Sequence, residues 1–217
     1  MNVLALIQQI LIYAIPILFA ITVHEVAHGW VASKFGDQTA RLMGRLTLNP
    51  IKHIDPMGTI VVPLVLLMLG GFIFGWAKPV PVDWRNLRNP KTDMAWVAAA
   101  GPGANLLMLI LWALLAKTIM LLGAPATGPW SAFEQMSYAG MMINSVLMIL
   151  NLFPVPPLDG SRVLSALLPP AMAYKYNRLE RYGLLIILVL LMTGYLGRIL
   201  EPIITGFVSL VALIFGL

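Results

Sequence analysis

The 217-residue chain contains no cysteine and few charged residues. Without cysteine it can form no disulfide, and a metal ion would have to be held by histidine and carboxylate groups. Charged residues make up 11% of the sequence and hydrophobic residues 59%, whereas a soluble domain is about one quarter charged. The composition therefore predicts an integral membrane protein. Because no polar stretch is long enough for a second domain, we expect residues 1–217 to form a single membrane-embedded domain.

The net charge of +5 is also typical of nucleic-acid-binding proteins. Twelve of the fourteen basic residues, however, fall in three clusters between apolar segments, at 34–52, 78–91 and 162–181. Such clusters are expected in cytoplasmic loops that face anionic lipid. We therefore expect the lipid bilayer as a partner and no nucleic acid.

Apolar runs of about 20 residues predict membrane-spanning helices. They lie near 3–31, 94–122, 135–154, 181–197 and, in a shorter form, 202–217. A further apolar segment, 59–74, has only 16 residues and contains Pro63 and the Gly70-Gly71 pair. The predicted fold class is an all-α polytopic membrane protein with about five to six transmembrane helices and a re-entrant or short-strand region after the first.

The basic clusters indicate how segment 59–74 meets the membrane. If it enters and returns on the same side, all three clusters share one face, which the positive-inside rule makes cytoplasmic. The amino terminus would then lie outside and the carboxyl terminus inside. A full crossing would divide the clusters between the two faces, so we favour re-entry.

Two segments near this region have the composition of loops and extended chain. Residues 41–55 are typical of turns and short strands. Residues 76–82 contain Pro79 and Pro81, which favour an extended backbone in themselves and in the residues before them. An extended substrate could pair with a strand edge of this kind.

The first apolar run contains the sequence His24-Glu25-Val26-Ala27-His28. Positions i and i+4 share a face of a helix, so both imidazoles could bind one metal ion. The glutamate beside the first histidine could then act as a general base, as in other HExxH zinc peptidases. Ionisable residues at membrane depth are costly and are functional candidates. The pattern predicts metal-assisted hydrolysis within the bilayer.

A third ligand is predicted at Asp159, in the sequence Asn-Leu-Phe-Pro-Val-Pro-Pro-Leu-Asp-Gly that begins at Asn151. Its three prolines cannot continue a regular helix, and such a break is tolerated at membrane depth only where protein or water surrounds it. Asp159 could complete a His-His-carboxylate set with one open position. Alternatively, Asp159 caps the helix that follows. The presence of HExxH in the same membrane domain favours the ligand role.

Three further polar residues are candidates. Asn105 opens the second long span and Asn151 precedes the proline-rich break, so either amide could bind substrate backbone or stabilise an oxyanion. A structural interhelical hydrogen bond is an equal alternative for Asn105. His53 is a weaker alternative metal ligand, and Asn144 is interpreted as structural.

The sequences HEVAH in the first span, GPGAN opening the second and NLFPVPPLDG closing the third together resemble the site-2 protease family of intramembrane zinc metalloproteases. GRLTLNPIKHIDPMGT and GWAKPVPV resemble the short bacterial form without a PDZ or CBS domain. The resemblance implies one zinc ion per chain held by His24, His28 and Asp159, and Glu25 as general base. It implies that Asn105 and Asn151 contact substrate or an oxyanion.

The predicted function is thus that of an intramembrane zinc metalloendopeptidase. Its partner would be a membrane protein substrate, cleaved in a transmembrane or membrane-proximal helix near the cytoplasmic side. The resemblance implies a multi-pass protein of a bacterial inner or plasma membrane with its active site toward the cytoplasm. The alternatives are a metal transporter, disfavoured because the far halves of the spans lack polar residues, and an inactive metal-binding adaptor, disfavoured by the intact Glu25.

Overall fold

The computed structural model describes residues 3–68, 75–123, 125 and 128–217. Helix is the only regular secondary structure within these residues, which confirms the all-α prediction. The α-helices of the described ranges are α1 (Val3–Lys34), α2 (Thr39–Leu42), α3 (Val62–Met68), α4 (Pro90–Leu121), α5 (Pro129–Asn151), α6 (Asp159–Leu167), α7 (Pro170–Asn177), α8 (Glu180–Met192) and α9 (Tyr195–Phe215). Short 3₁₀ helices occupy Pro50–His53 and Trp84–Asn86, and a π-helix occupies Pro56–Val61.

Three of the described helices are long and apolar enough to cross a membrane: Ile7–Lys34, Pro90–Leu121 and Tyr195–Phe215. This agrees with a polytopic membrane protein. The larger predicted number of five to six spans is not confirmed, since α8 has only 13 residues. The 23-residue α5 is long enough to span, but its hydropathy is too low to place it among these three.

The boundary between the last two helices differs from the prediction. The sequence indicated helices over 181–197 and 202–217, with the break between them at 198–201. Instead α8 ends at Met192, Gly194 adopts a left-handed conformation with φ +72°, and α9 runs through Pro202. Glycine adopts this conformation without steric penalty, whereas an interior proline removes one helical hydrogen bond and can be accommodated in a membrane helix.

The centre of the helical bundle is formed by α1, α4 and α5. A buried cluster of Leu109, Ala113, Met141 and Val211 joins α4, α5 and α9. A Cβ atom at Gly140 of α5 would collide with the Trp112 ring, so glycine allows this helix pair to approach closely. The bundle thereby fixes the position of α1, which carries both histidines, against α4.

The predicted short strands between residues 41 and 55 are wrong: this part of the chain forms α2, a 3₁₀ helix and irregular backbone. On the side of the neighbouring extended chain that Pro79 and Pro81 face, neither proline has an N–H to donate to a ladder. The side chain of Arg45 donates to the carbonyls of Lys78 and Pro79, at 2.9 and 3.3 Å. Pairing of this chain with an extended substrate stays a prediction.

The two ends of the predicted re-entrant segment lie side by side. The Trp76 N–H donates to the Gly58 carbonyl at 3.1 Å, and the Thr59 hydroxyl donates to the Trp76 carbonyl at 2.9 Å. Residues 56–68 are helical, while 69–74 lie outside the described residues. The chain therefore leaves and returns to the same place, whatever its path between.

Asp37 connects the end of α1 to the chain that precedes α4. Its buried carboxylate accepts hydrogen bonds from the N–H and hydroxyl of Thr39, the N–H of Asp83 and the amide of Asn86. Burial by itself raises the pKa of Asp37, but these hydrogen bonds outweigh it and hold the pKa below its usual value.

The hydrogen bonds accepted by Asp37 yield a stability prediction. Asp37→Ala leaves several partly buried donors without an acceptor and should lower the free energy of unfolding by roughly 1–3 kcal/mol. Since the native pKa is depressed, the carboxylate stabilises the fold above its unfolded pKa of about 3.9, and this contribution disappears as the pH falls through the native pKa. Thermal unfolding in detergent between pH 3 and 6 measures both effects. Asp37→Asn is the control, and its thermal stability should lose part of the pH dependence seen in the native protein below about pH 4. An unchanged pH profile in this variant would contradict the stabilising role of the Asp37 carboxylate.

Candidate metal centre

Helix α1 places His24 and His28 one turn apart on the face that meets α4. Their rings lie nearly perpendicular, at 85°, with centroids 4.7 Å apart. The two Nε2 atoms are separated by 3.0 Å. His24 is buried, and His28 is partly buried. The helical spacing thus directs both imidazoles to one point, as the sequence predicted.

Asp159, the first residue of α6, reaches the same point. Its Oδ2 lies 3.2 Å from Nε2 of His24 and 3.3 Å from Nε2 of His28. Gly160 makes this placement possible, because a Cβ atom there would collide with the Leu152 carbonyl at the end of α5. The N-cap position of α6 is Leu158, without a side-chain cap hydrogen bond. The capping alternative for Asp159 therefore has no support from this geometry.

The other ring nitrogen of each histidine faces a hydrogen-bond acceptor. His24 Nδ1 is 2.6 Å from Asn105 Oδ1, and His28 Nδ1 is 2.7 Å from the Val97 carbonyl. Each Nδ1 must then carry the proton and donate it. When the ring is neutral, its Nε2 atom is left with a lone pair directed toward the other histidine and Asp159.

The orientation of Asn105 is fixed by its own partners. Its amide donates to the Ala20 carbonyl at 3.3 Å and to Asn144 Oδ1 at 3.0 Å, and Asn144 donates onward to the Gly140 carbonyl at 2.8 Å. Both asparagines are completely buried. Because backbone carbonyls can only accept, the series of hydrogen bonds has a single direction, in which Asn105 presents its oxygen to His24.

The three converging atoms suit a zinc ion. Two imidazole Nε2 atoms and a buried carboxylate oxygen face one another at 3.0–3.3 Å, and Asp159 Oδ2 has no hydrogen-bond partner among the described residues. The lone pairs of these three atoms repel one another unless a proton or a metal cation lies between them. Zinc–ligand bonds of 2.0–2.1 Å in a tetrahedron separate neighbouring ligand atoms by about 3.3 Å. The donor types and spacing therefore fit zinc, with a fourth position for water or substrate.

Glu25 lies between the two histidines in sequence and belongs to an adjoining face of α1. Its Oε2 accepts a hydrogen bond from the Val80 N–H at 2.7 Å. No other hydrogen bond to the Glu25 carboxylate occurs within the described ranges. The general-base candidate is thus held by the backbone of a loop, a contact that the sequence analysis missed because a backbone N–H has no side-chain signature.

The remaining candidates lie elsewhere. The Asn151 amide donates to the Leu147 carbonyl one turn back in its own helix, at 2.9 Å. His53 is buried with Nε2 2.9 Å from the Thr47 carbonyl and is not among the three residues that converge. The substrate or oxyanion roles of Asn105 and Asn151 stay predictions, although the Asn105 amide is already fully occupied.

Comparison with known families agrees with this site. The family model of peptidase family M50 matches residues 12–135 and 119–194. The chain therefore belongs to peptidase family M50, the site-2 protease family of zinc metallopeptidases. No solved structure matches the fold.

Proteins similar in sequence are named as zinc metalloproteases. The chain is 39% identical over 193 residues to "Putative zinc metalloprotease YwhC" of Bacillus subtilis (strain 168), which covers 88% of this chain and 85% of the relative. It is 32% identical over 182 residues to "Putative zinc metalloprotease Rip2" of Mycolicibacterium smegmatis, covering 83% of this chain and 66% of that protein. A Rip2 protein of Mycobacterium tuberculosis H37Rv is 28% identical over 180 residues, with the same coverage.

Gly101 of α4 provides a stringent test of the metal centre. A Cβ atom at Gly101 would collide with Nε2 of both His24 and His28. Gly101→Ala should therefore lower zinc affinity by about 10- to 100-fold or more, because neither imidazole can keep its position. Competition with a zinc chelator measures the change. Gly103→Ala is the matched control, since that position of the same helix faces open space; equal affinities in both variants would contradict the site.

Substitution of Asn105 separates two roles. If Asn105 orients His24, Asn105→Leu should weaken zinc binding by about 10- to 100-fold, and Asn144→Ala should do so in part. If Asn105 instead stabilises an oxyanion, zinc affinity should stay native while turnover falls. Chelator competition and cleavage rates on the same samples distinguish these outcomes.

Proposed function

We propose that this chain is an intramembrane zinc metalloendopeptidase that cleaves transmembrane or membrane-proximal segments of membrane proteins near the cytoplasmic side. The observation that carries the proposal is the convergence of His24, His28 and Asp159 beside Glu25, on a helix apolar enough to span the bilayer. His24 and His28 lie ten and six residues before Lys34, which corresponds to about 15 and 9 Å along the helix.

The proposed roles of the residues follow from their positions. His24, His28 and Asp159 would hold the zinc ion, which when bound polarises the peptide carbonyl and makes water more acidic. Glu25 takes a proton from the attacking water, whose oxygen bonds to the carbonyl carbon. Glu25 then delivers that proton to the amide nitrogen as the C–N bond breaks. The products are a carboxylic acid and an amine, so atoms and charge balance.

We also propose that segment 59–74 re-enters on the cytoplasmic side. The adjacency of Gly58 and Trp76 supports this, since a full crossing would separate the two ends by the thickness of the bilayer. The three basic clusters then share the cytoplasmic face, with the amino terminus outside. The metal centre would then lie below that face, in keeping with cleavage near the cytoplasm.

Replacing the general base tests the function directly. Glu25→Gln keeps the shape of the side chain and leaves the three metal-binding residues in place, so zinc content should remain native. Cleavage should fall by about 10²- to 10⁴-fold, because a carboxamide cannot accept the proton. Zinc analysis and cleavage of a transmembrane substrate in liposomes provide the two measurements.

Two outcomes would contradict the proposal. Native turnover by Glu25→Gln would remove the assigned mechanism. Zinc in both proteins with no cleavage by the native chain, across several transmembrane substrates, would favour a metal-dependent membrane protein that is not a peptidase.

A further inference from the structure

Two sequence features lie outside the metal-binding set: the sequence around Arg45 (GRLTLNP) and the proline segment, residues 76–82 (WAKPVPV). In the structure they form one unit. Arg45 is buried, and its Nη2 donates to the Lys78 and Pro79 carbonyls at 2.9 and 3.3 Å. The next residue, Val80, donates its N–H to Glu25 at 2.7 Å.

Alternate N–H groups of the proline segment donate hydrogen bonds to other parts of the protein. Those of Trp76, Lys78 and Val80 donate to the Gly58 carbonyl, the His53 carbonyl and the Glu25 carboxylate. In an extended chain, alternate residues direct their N–H groups to the same side. The prolines at 79 and 81 occupy the intervening positions, where no donor is needed. They fix φ on both sides of Val80 and so limit the directions its N–H can take.

Close packing against α1 holds the same residue in place. A Cβ atom at Gly29, one turn after Glu25, would come within 2.6 Å of Val80 Cγ1 and of Leu46 Cδ2. Val80 is correspondingly buried. The absence of a side chain at Gly29 therefore lets the proline segment lie directly on the helix surface next to the general base.

We infer that the proline segment positions the general base: the Val80 N–H holds Glu25 Oε2, and Arg45 holds the segment that presents this N–H. Val80 and Arg45 are thus positioning residues for the proposed peptidase activity, on which this inference rests. Oε2 is fixed by the N–H, and Oε1 remains to accept the proton of water. An unrestrained glutamate on a membrane helix would sample several rotamers, most of which direct its carboxylate away from the metal centre.

Removing the single N–H tests the inference. Val80→Pro deletes the donor in a segment that already has prolines on both sides, and should lower kcat by about 10- to 100-fold while KM changes by less than about threefold. Zinc content, measured independently of activity, should remain native. Ala77→Pro is the matched control: it introduces the same residue in the same segment, at an N–H without a hydrogen bond in the described structure, and should keep kcat near native.

The effect of the Val80 side chain must be distinguished from the effect of its backbone N–H. Val80→Ala keeps the N–H and loses packing against Gly29, so it should lower thermal stability. Its kcat should nevertheless exceed that of Val80→Pro by at least about tenfold, if the hydrogen bond rather than the packing matters. Equal losses in the two variants would overturn the assignment to the N–H.

A double-mutant cycle tests the role of Arg45. Arg45→Gln should lower kcat, and Arg45→Gln combined with Val80→Pro should show no further loss, because both substitutions act through one contact. Additive losses would overturn the link between Arg45 and Val80. Native kcat in Val80→Pro would overturn the inference while leaving the peptidase function intact. Absence of cleavage by the native chain would instead contradict the proposed function, and with it the inference that rests on that function.

Discussion

The structure depends on three ligand atoms with lone pairs that converge on one point inside the helical bundle. Two imidazole lone pairs and a carboxylate oxygen are held 3.0–3.3 Å apart in an apolar helical bundle. Each is fixed by groups that cannot easily turn away: Val97 and Asn105 hold the two Nδ1 atoms, and the start of α6 holds Asp159. Such an arrangement is unfavourable in a low-dielectric interior unless a metal ion or a proton compensates it.

Close helix packing makes this convergence possible. Gly101 brings α4 against both imidazoles, and Gly140 brings α5 against Trp112 of α4. The buried Asn105–Asn144 pair then links α1, α4 and α5 by hydrogen bonds. In a lipid environment, small residues and buried amides supply the helix association that the hydrophobic effect cannot. Residues that pack the helices together therefore also hold the candidate metal-binding side chains in position.

The sequence allowed the central cluster to be predicted because ionisable side chains are rare in apolar sequence. His24, His28 and Asp159 were grouped on that basis, and the structure brings them together. The contact of Val80 with Glu25 could not be predicted, because any residue except proline offers the same N–H. The break at Gly194 was missed because a single glycine within an apolar run is a weak sequence signal. The strands expected near 41–55 do not form: the neighbouring chain has prolines at alternate positions, and other N–H groups in it donate to Gly58, His53 and Glu25.

The most direct test of the central claim is X-ray absorption at the zinc edge on the purified native protein, with the zinc stoichiometry determined on the same sample. One zinc per chain, coordinated by two imidazoles and oxygen ligands at about 2.0–2.2 Å, is the predicted result. A protein that binds no zinc, or binds it without two histidines, would contradict the account.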